Sequence, residues 1–447
     1  MDIHGVTNVI FGWDPMIISS VILVLSYAVI MSERVNRAVA ALLGAGLMIF
    51  AGVLNQGLAI RGIDFNTIFL LTGMMMIVSI TKRSGVFQFV AVKAAQTVRA
   101  NPRLLLIALA LITAVFSALL DNVTTVMLVV PITLLLTDQL KVPTYPFLFT
   151  QIFASNIGGT STLIGDPPNI LIGSAAGLSF MDFVHNLAPI AVVLMIVMTG
   201  VFDMIWGRKM KASLSARATV MMFKPYEAIE DYPLLWKSLF VLGLVIVGFV
   251  VGHDLGWQPG TIALTGAALL MLLDIYKFNP EEQSHKVHSV FQEVEWITIF
   301  FFVGLFVIVG GVEHAGVLKW MAEETISLTG GNLPLTGMAI LWSSAVLSAI
   351  VDNIPFVATM IPMIHSMAPD LGGDAAIAPL WWCLALGACL GGNGTIIGAS
   401  ANVMVASFAE RAGQRISFMQ FMKLAFPLML LTIAISTVYV WVVYFSS

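Results

Sequence analysis

The sequence predicts an all-α polytopic membrane protein built from an inverted repeat, and three observations carry that fold class. Of 447 residues, 59% are hydrophobic and only 10% are charged, with a mean hydropathy of +0.95. A soluble domain carries roughly 25% charged residues. Apolar blocks such as LAPIAVVLMIVMTGVFDMIW (187–206) and LLWKSLFVLGLVIVGFVVG (234–252) reach the roughly 17–25 residues that a crossing helix needs. The third observation is repetition: SALLDNVTTVMLVVP (117–131) returns as SAIVDNIPFVATMIP (348–362). A β-barrel would show ~10-residue segments of alternating polarity, and the sequence has none.

Hydropathy places the elements in order. Spans fall near 16–32, 36–53 and 65–81, followed by an amphipathic stretch at 85–98. A pair at 103–120 and 123–137 is broken by Asp121-Asn122; an interrupted span (147–177) and a span at 187–206 follow. The second half repeats this order at 234–252, 259–275, 296–312, 313–329, the broken pair 335–351 and 354–368, the interrupted span 379–410 and a last span near 423–444. The first repeat is thus expected over 1–233, with a hairpin at 103–137, a broken helix at 147–177 and a linker at 207–233. The second covers 234–447, with a hairpin at 335–368 and a broken helix at 379–410.

Arg208, Lys209, Lys211, Arg217 and Lys224 make the linker cytoplasmic by the positive-inside rule. The other basic clusters agree, Arg61 and Lys319 excepted, only if each broken pair enters and leaves on one side as a re-entrant hairpin. Each arm is about 15–18 residues, roughly 23–27 Å at 1.5 Å per residue, which is marginal for a full crossing. A polar tip is tolerated at membrane depth where it lines a watery cavity. The start, MDIHGVTNVIFGWDPM, lacks the basic run of a cleaved signal peptide, so the first block is expected to stay. The localisation expected is the bacterial inner (plasma) membrane.

The halves align at a fixed offset. Thr67, Gly73 and Gly85 match Thr298, Gly304 and Gly316, and Asp121, Asn122 and Pro131 match Asp352, Asn353 and Pro362. GGTSTLIGDPPN (158–169) matches GGNGTIIGASAN (391–402). Because the first half begins outside and the second inside, the repeats are inverted. Inverted repeats with interrupted helices characterise secondary transporters, whose substrate sits near the midplane where the broken helices meet. A purely structural duplication explains returning glycines but not Asp, Asn and Pro returning in register.

Asp121 and Asp352 are the leading proton- or cation-coupling candidates, since an ionisable group at membrane depth is a functional hypothesis by default. The competing role is a carboxylate capping the helix after the tip. Asn122, Asn353 and Thr124 offer neutral contacts for a hydroxylated ligand or a partly dehydrated ion. In SNIGGTSTLIGDPPN (155–169), Asn156, Thr160 and Ser161 join them; Gly158 and Gly159 are expected to open the helix, Pro167 and Pro168 to prevent its normal resumption, and Asp166 and Asn169 flank the break. The counterpart keeps Gly391, Gly392, Asn393, Thr395 and Asn402 but has Ala399 where the first half has Asp166. The expected site therefore holds three carboxylates, two from the first half, and the first tip, followed by hydroxyls, should hold most of the polar contacts. Cys383 and Cys389 are six apart, about 240° around a helix, and read as core. No cofactor, metal site or nucleic-acid partner is expected. With no Walker A, H-E-x-x-H or G-x-S-x-G pattern, neither an ATP-driven pump nor a membrane hydrolase is indicated, and the chain is not expected to be an enzyme.

FSALLDNVTTVMLVVP, SNIGGTSTLIGDPPN, LSAIVDNIPFVATMIP and ACLGGNGTIIGASANV resemble the ion-transporter superfamily in its ArsB/NhaD permease branch, and are similar to the melanosomal P-type permeases and the bacterial arsenite-permease-like proteins. The resemblance implies a dimerising scaffold and a transport domain of two re-entrant hairpins and two discontinuous helices that moves as an elevator. It implies ligand contacts at Asn122, Thr124 and Asn353, with Pro355 standing where a second Thr is expected, and sodium sites near Gly158 to Thr162 and Gly391 to Thr395. The chain departs from NhaD-type antiporters, which follow Gly-Asp with Val-Thr-Thr, and from plasmid-type arsenite permeases, which carry Asn-Asp at the first tip. The first functional expectation is proton-coupled efflux of arsenite or antimonite, a small inorganic or metalloid substrate. A sodium/proton antiporter or anion transporter is the alternative within the class, and a passive anion channel the alternative outside it. A homodimer in the lipid bilayer, and a soluble ATPase on loop 207–233, are the partners the expectation admits.

Overall fold

A computed structural model describes residues 9–32 and 34–446. Residues 1–8, half of the stretch whose lack of a basic run argues against a cleaved leader, lie outside the described residues. In the first half α1 (Pro15–Met31), α2 (Arg37–Phe50), the short α3 (Gln56–Arg61), α4 (Phe65–Lys82) and α5 (Val86–Thr97) precede the hairpin arms α6 (Pro102–Leu119) and α7 (Asn122–Leu140). The broken helix follows as α8 (Tyr145–Thr160) and α9 (Pro167–Ala176), then the long α10 (Phe180–Ile205), with α11 (Leu214–Met221) in the linker. The second half runs α12 (Tyr232–Gly252), α13 (Pro259–Ile275), α14 (Pro280–Gln292), α15 (Trp296–His314), α16 (Val317–Thr329), the arms α17 (Leu333–Ile350) and α18 (Asn353–Met367), the halves α19 (Ala378–Gly391) and α20 (Ser400–Arg411), and α21 (Phe418–Val440). Eight of the described helices are long and apolar enough to cross a membrane, and no strand occurs among the described residues.

Local chemistry starts these helices where they start. Asp14, Asn36, Asp64, Asn101, Asp231 and Asn332 each accept a bond from the first turn that follows, satisfying N–H groups that lipid could not. The two halves of the molecule interlock. Gly73 on α4 faces the backbone of Ala263 on α13, and its mirror Gly304 on α15 faces the backbone of Ala41 on α2; a Cβ at either glycine would lie 2.6 Å from that backbone. Close backbone approach through small residues is how helices associate in lipid, where apolar burial gives no preference for protein over acyl chain. Each half's second scaffold helix therefore packs on the other half's third.

α8 and α19 occupy the centre. From Pro146 to Thr160, and from Leu380 to Gly391, every residue is buried, the pattern of helices that are apolar all round. Each broken helix docks on the first arm of its own hairpin through glycine: Gly158 lies against the Ala114 backbone, and Gly391 and Gly387 against those of Ala345 and Leu341, with no room for a Cβ.

That packing corrects the expected role of the glycines. Gly158 and Gly159 lie inside α8, and Gly391 is the last residue of α19, with Gly392 starting a 3₁₀ turn. The segments outside the α-helices are 161–166 and 392–399, the latter opening with the 3₁₀ turn, and they are held by Asn169 and Asn402. The Asn169 Nδ2 donates to the carbonyls of Thr160 (3.0 Å) and Thr162 (2.9 Å), and the Asn402 Nδ2 to those of Gly392 (2.7 Å) and Thr395 (2.9 Å). Pro167 and Pro168 do not hinder the second segment; they open α9, where proline's missing N–H costs nothing.

The basic residues gather on one end, hereafter the basic face. Asp203 holds Arg103 (2.6 Å) and Arg208 (3.4 Å), and Asp274 holds Lys286 (3.0 Å) and Arg83 (3.9 Å). The linker lies against this end, with the Gln96 Nε2 donating to the Phe223 carbonyl and the Arg217 guanidinium to that of Arg99.

Candidate functional site

Both hairpins turn at an aspartate that caps its second arm. The Asp121 carboxylate accepts from the Thr124 N–H at 2.8 Å and from the Thr124 hydroxyl. Asp352 accepts from the Ile354 N–H at 3.2 Å. At Asp352 the helix uses one carboxylate oxygen and leaves the other for partners outside the tip, whereas at Asp121 both oxygens are used by Thr124.

The asparagines that follow meet at one group. Asn122 Nδ2 donates to Asp166 Oδ1 at 3.1 Å, and Asn353 Nδ2 donates to the same oxygen at 3.4 Å. Asp166 is fully buried, and its Oδ2 has no partner among the described residues. An orphan carboxylate oxygen at this depth is costly, which makes it the natural point for a proton or a cargo hydroxyl. Beneath it lies a second layer. Asn156 Nδ2 bonds Asn393 Oδ1 (3.0 Å) and Asn402 Oδ1 (3.1 Å) across the repeat boundary, and Asn393 Nδ2 is left unpartnered.

Other candidates lie outside this meeting point. Thr160 donates to the Asn156 carbonyl and Ser161 to that of Gly158, each within its own helix. Thr395 donates to the Ala349 carbonyl at 2.6 Å, and Thr162, its mirror, to the Ala118 carbonyl at 2.6 Å. These hydroxyls tie each break to its hairpin. Gly158, Gly159, Gly391, Gly392, Pro167, Pro168, Asn169 and Asn402 shape the breaks. Cys383 and Cys389 are buried; Cys389, unlike the others, reaches the meeting point, its thiol lying 3.5 Å from Asn169 Oδ1 and in hydrogen-bonding reach of the Asp166 carboxyl.

Two residues that hydropathy assigns to helix flanks belong to the site. Arg37, at the start of α2, donates through Nη1 to Ser400 Oγ (2.5 Å) and Asp352 Oδ2 (3.3 Å), and through Nη2 to Thr298 Oγ1 (2.9 Å). Its guanidinium sits 5.3 Å from the centre of the Phe301 ring. Thr298 in turn donates to Glu295 Oε2 at 3.1 Å. The repeat contains the signal for Glu295: an acid stands three residues before the threonine in both halves, as Asp64–Thr67 and Glu295–Thr298. No comparable signal exists for Arg37. The expectation that the first tip holds most polar contacts is also corrected, since Asp121 bonds within its own tip whereas Asp352 reaches Arg37 and Ser400.

A cavity of about 340 Å³ runs from the loop at Val35 and Asn36 to Arg37, Glu295, Asp352 and Ser400. A crevice of about 20 Å³ continues to Asp121, Asn122, Asp166 and Asn353, sharing Arg37, Glu295 and Ser400 with it. A second cavity of about 290 Å³ lies at the other end, lined by Trp257 and Gln258, and stops at Leu70, Leu163 and Ile170 without touching either tip aspartate. Exposed Met31, Val35 and Asn36, at the loop that carries exposed Arg34, line the larger of these two cavities, which puts its mouth at the basic face. The polar centre thus opens to the basic face in this conformation.

Comparison with known proteins agrees with the fold. The citrate transporter family matches residues 27–387. An uncharacterised transporter of Mycobacterium tuberculosis is 42% identical over 96% of this chain and 99% of its own length. The human P protein is 33% identical over 95% of this chain, which spans 59% of that protein. Among solved structures, the YdaH transporter of Alcanivorax borkumensis, described as having an unusual topology, superposes with a TM-score of 0.60 at 13% identity, covering 96% of this chain and 98% of that one. MtrF of Neisseria gonorrhoeae, described with a class of antimetabolite efflux pumps, superposes at 0.58 and 12% identity over 97% and 96%. At such identity these two support the fold alone. The chain belongs to the citrate transporter family and is a multi-pass secondary transporter.

Proposed function

We propose that this citrate-transporter-family protein is a proton-coupled permease that exports a small, uncharged, hydroxylated cargo such as arsenous or antimonous acid by an elevator movement. The charge of the site supports this reading. Four carboxylates, Asp121, Asp166, Asp352 and Glu295, face one guanidinium, Arg37. A bare anion would be repelled in this low-dielectric setting. A neutral trihydroxide can exchange hydrogen bonds with Asn122, Asn353 and the open edge of Asp166, while a proton rides on a carboxylate.

In this mechanism the two hairpins and two broken helices, from repeats divided near 233, move together against the scaffold helices. Asp166 binds the cargo hydroxyl and the coupling proton by turns, so that cargo leaves as a proton enters, and Asp121 and Asp352 order the tips around it. The basic face is cytoplasmic, in a bacterial inner membrane, and the linker 207–233 there is the surface a soluble ATPase would use. Two copies associate through the scaffold. The family match favours a second reading, a carboxylate cargo, which the four carboxylates would admit only in company with a cation.

Flux in proteoliposomes tests the proposal. Arsenite uptake driven by an imposed pH gradient is expected in the native protein and lost in Asp166→Asn. Citrate flux that needs a divalent cation, without arsenite flux, would replace the cargo. Sodium-dependent alkalinisation with neither flux would make the protein an antiporter, and flux that follows membrane potential while ignoring the gradient would make it a channel.

A further inference from the structure

Scaffold side chains bond the tip of the second hairpin but not the tip of the first, whose arm is held at its far end by the Arg103–Asp203 pair. From α2, Arg37 reaches Asp352 at the second tip and Ser400 at the start of α20. From α1, the Tyr27 hydroxyl donates to the Pro355 carbonyl at 2.8 Å, one turn past the same tip. At the first tip, the two bonds of Asp121 both go to Thr124 of its own hairpin. On the other side of the pseudo-symmetry, Pro259 and Gly260 open α13 where α2 carries Arg37. The grip belongs to one half.

The grip is also chemically unusual. Arg37 is half-buried at the mouth of the cavity that leads to Asp166, with about a quarter of its side chain exposed, 26%, against 17% for Asp352. An arginine cannot shed its charge there. The charged or titratable groups around the pair are Asp352 on the second tip, Glu295 before α15, Asp121 on the first tip and Asp166 before α9, with Thr298 and Ser400 as neutral bridges. If Asp352 takes a proton, the guanidinium loses its only carboxylate contact among the described residues but keeps Ser400 and Thr298, whose hydroxyl leads to Glu295. Release therefore leaves no stranded buried charge, which is the usual obstacle to breaking such a pair.

We propose that Arg37 is a tethered cation that competes with a second proton, distinct from the one on Asp166, for Asp352, and so decides when the second hairpin leaves the scaffold. This rests on the proton-coupled reading of the site and adds to it a residue and an order of events. While Asp352 is ionised, Arg37 and Tyr27 hold the hairpin down and the cavity stays open to the basic face. Protonation of Asp352 removes the one charged tie of three, and the hairpin, with the broken helices docked on it, is left held only by the neutral bonds to Ser400 and Pro355. Arg37 is a positioning residue, since it acts through Asp352.

Two measurements on the full-length protein in proteoliposomes test this. One is the pH at which gradient-driven flux is half-maximal; the other is the rate at which Met404→Cys, in the basic-face cavity, reacts with a membrane-impermeant thiol reagent. The native cysteines are buried. Arg37→Met is expected to move the half-maximal pH upward by about one unit, a tenfold change in proton concentration, and to slow labelling of the cavity cysteine several-fold. Arg37→Lys keeps the charge and should hold the pH midpoint near the native value. Tyr27→Phe cuts the neutral tie and should slow labelling without moving the midpoint. Asp352→Asn should abolish the effect of adding Arg37→Met, as expected for a directly coupled pair. Labelling and midpoint both unchanged in Arg37→Met, or Arg37→Lys behaving as Arg37→Met, would overturn the proposal. Native flux that ignores pH would instead sink the proton-coupled reading, and the labelling arm would still report whether Arg37 ties the hairpin.

Discussion

The two hairpin tips began as one design and have diverged in what they touch. The first closes on itself, with Asp121 bonded to Thr124 and Asn122 turned to Asp166. The second faces outward, with Asp352 bonded to Arg37 and Ser400 while Asn353 reaches the same Asp166. The elements that hold the breaks stayed symmetric; the ionisable groups did not. The close contacts of Gly158 and Gly391 recur in the two halves, so the sequence there is held to the same solution. Under the proposed mechanism the asymmetry separates a proton site, Asp166, from a latch, Asp352 with Arg37.

Moving the asymmetric carboxylate is the strongest way to break this comparison. Ala399→Asp places a mirror of Asp166 at a buried position where Ser400 and Asp352 are already paired with Arg37. An uncompensated buried charge is expected to cost about 3–5 kcal/mol, read as a large loss of melting temperature in detergent, without added transport. A well-folded, active Ala399→Asp protein would show that the lopsidedness is incidental. Asp166→Asn comes next, with gradient-driven flux expected to fall about a hundredfold, equivalent to ~2.7 kcal/mol, and folding retained.

Symmetric changes should instead have symmetric costs. Gly158→Ala and Gly391→Ala each push a Cβ into the backbone of the neighbouring arm. Each should destabilise by about 1–3 kcal/mol, as overpacking does, with the two melting shifts alike. The smallest effect is expected for Thr162→Val and Thr395→Val, which each remove one bond from a break to its hairpin. About 1 kcal/mol each is expected. Unequal shifts within either pair would mean that the scaffolding too has diverged.

How much was legible in the sequence varies by residue. Asp121, Asn122, Asp352 and Asn353 stood out because a polar pair inside an apolar run has few explanations and here occurs twice. Asp166 stood out through its mismatch with Ala399. Thr160 and Ser161 look like ligands in the sequence, but a hydroxyl near a helix end can always turn back to a carbonyl one turn earlier, and both do. The glycine pairs look like helix breakers for the same want of context. Their role is set by Ala114 and Ala345 on another helix.

By itself the sequence determined the class of protein, the inverted repeat and the identity of the paired tips, because hydropathy, periodicity and register are properties of residues in order. Only the tertiary structure decided which oxygen both asparagines share, which cavity reaches it, and that Arg37 belongs to the site. Arg37 lies 315 positions from Asp352, and a basic residue at a helix start satisfies a membrane-flank pattern completely. Nothing in its neighbours along the chain distinguishes a charge facing water from one folded inward onto a carboxylate. That distinction comes from the crossing of α2 and α15, through which one half of the molecule places a cation against the hairpin of the other.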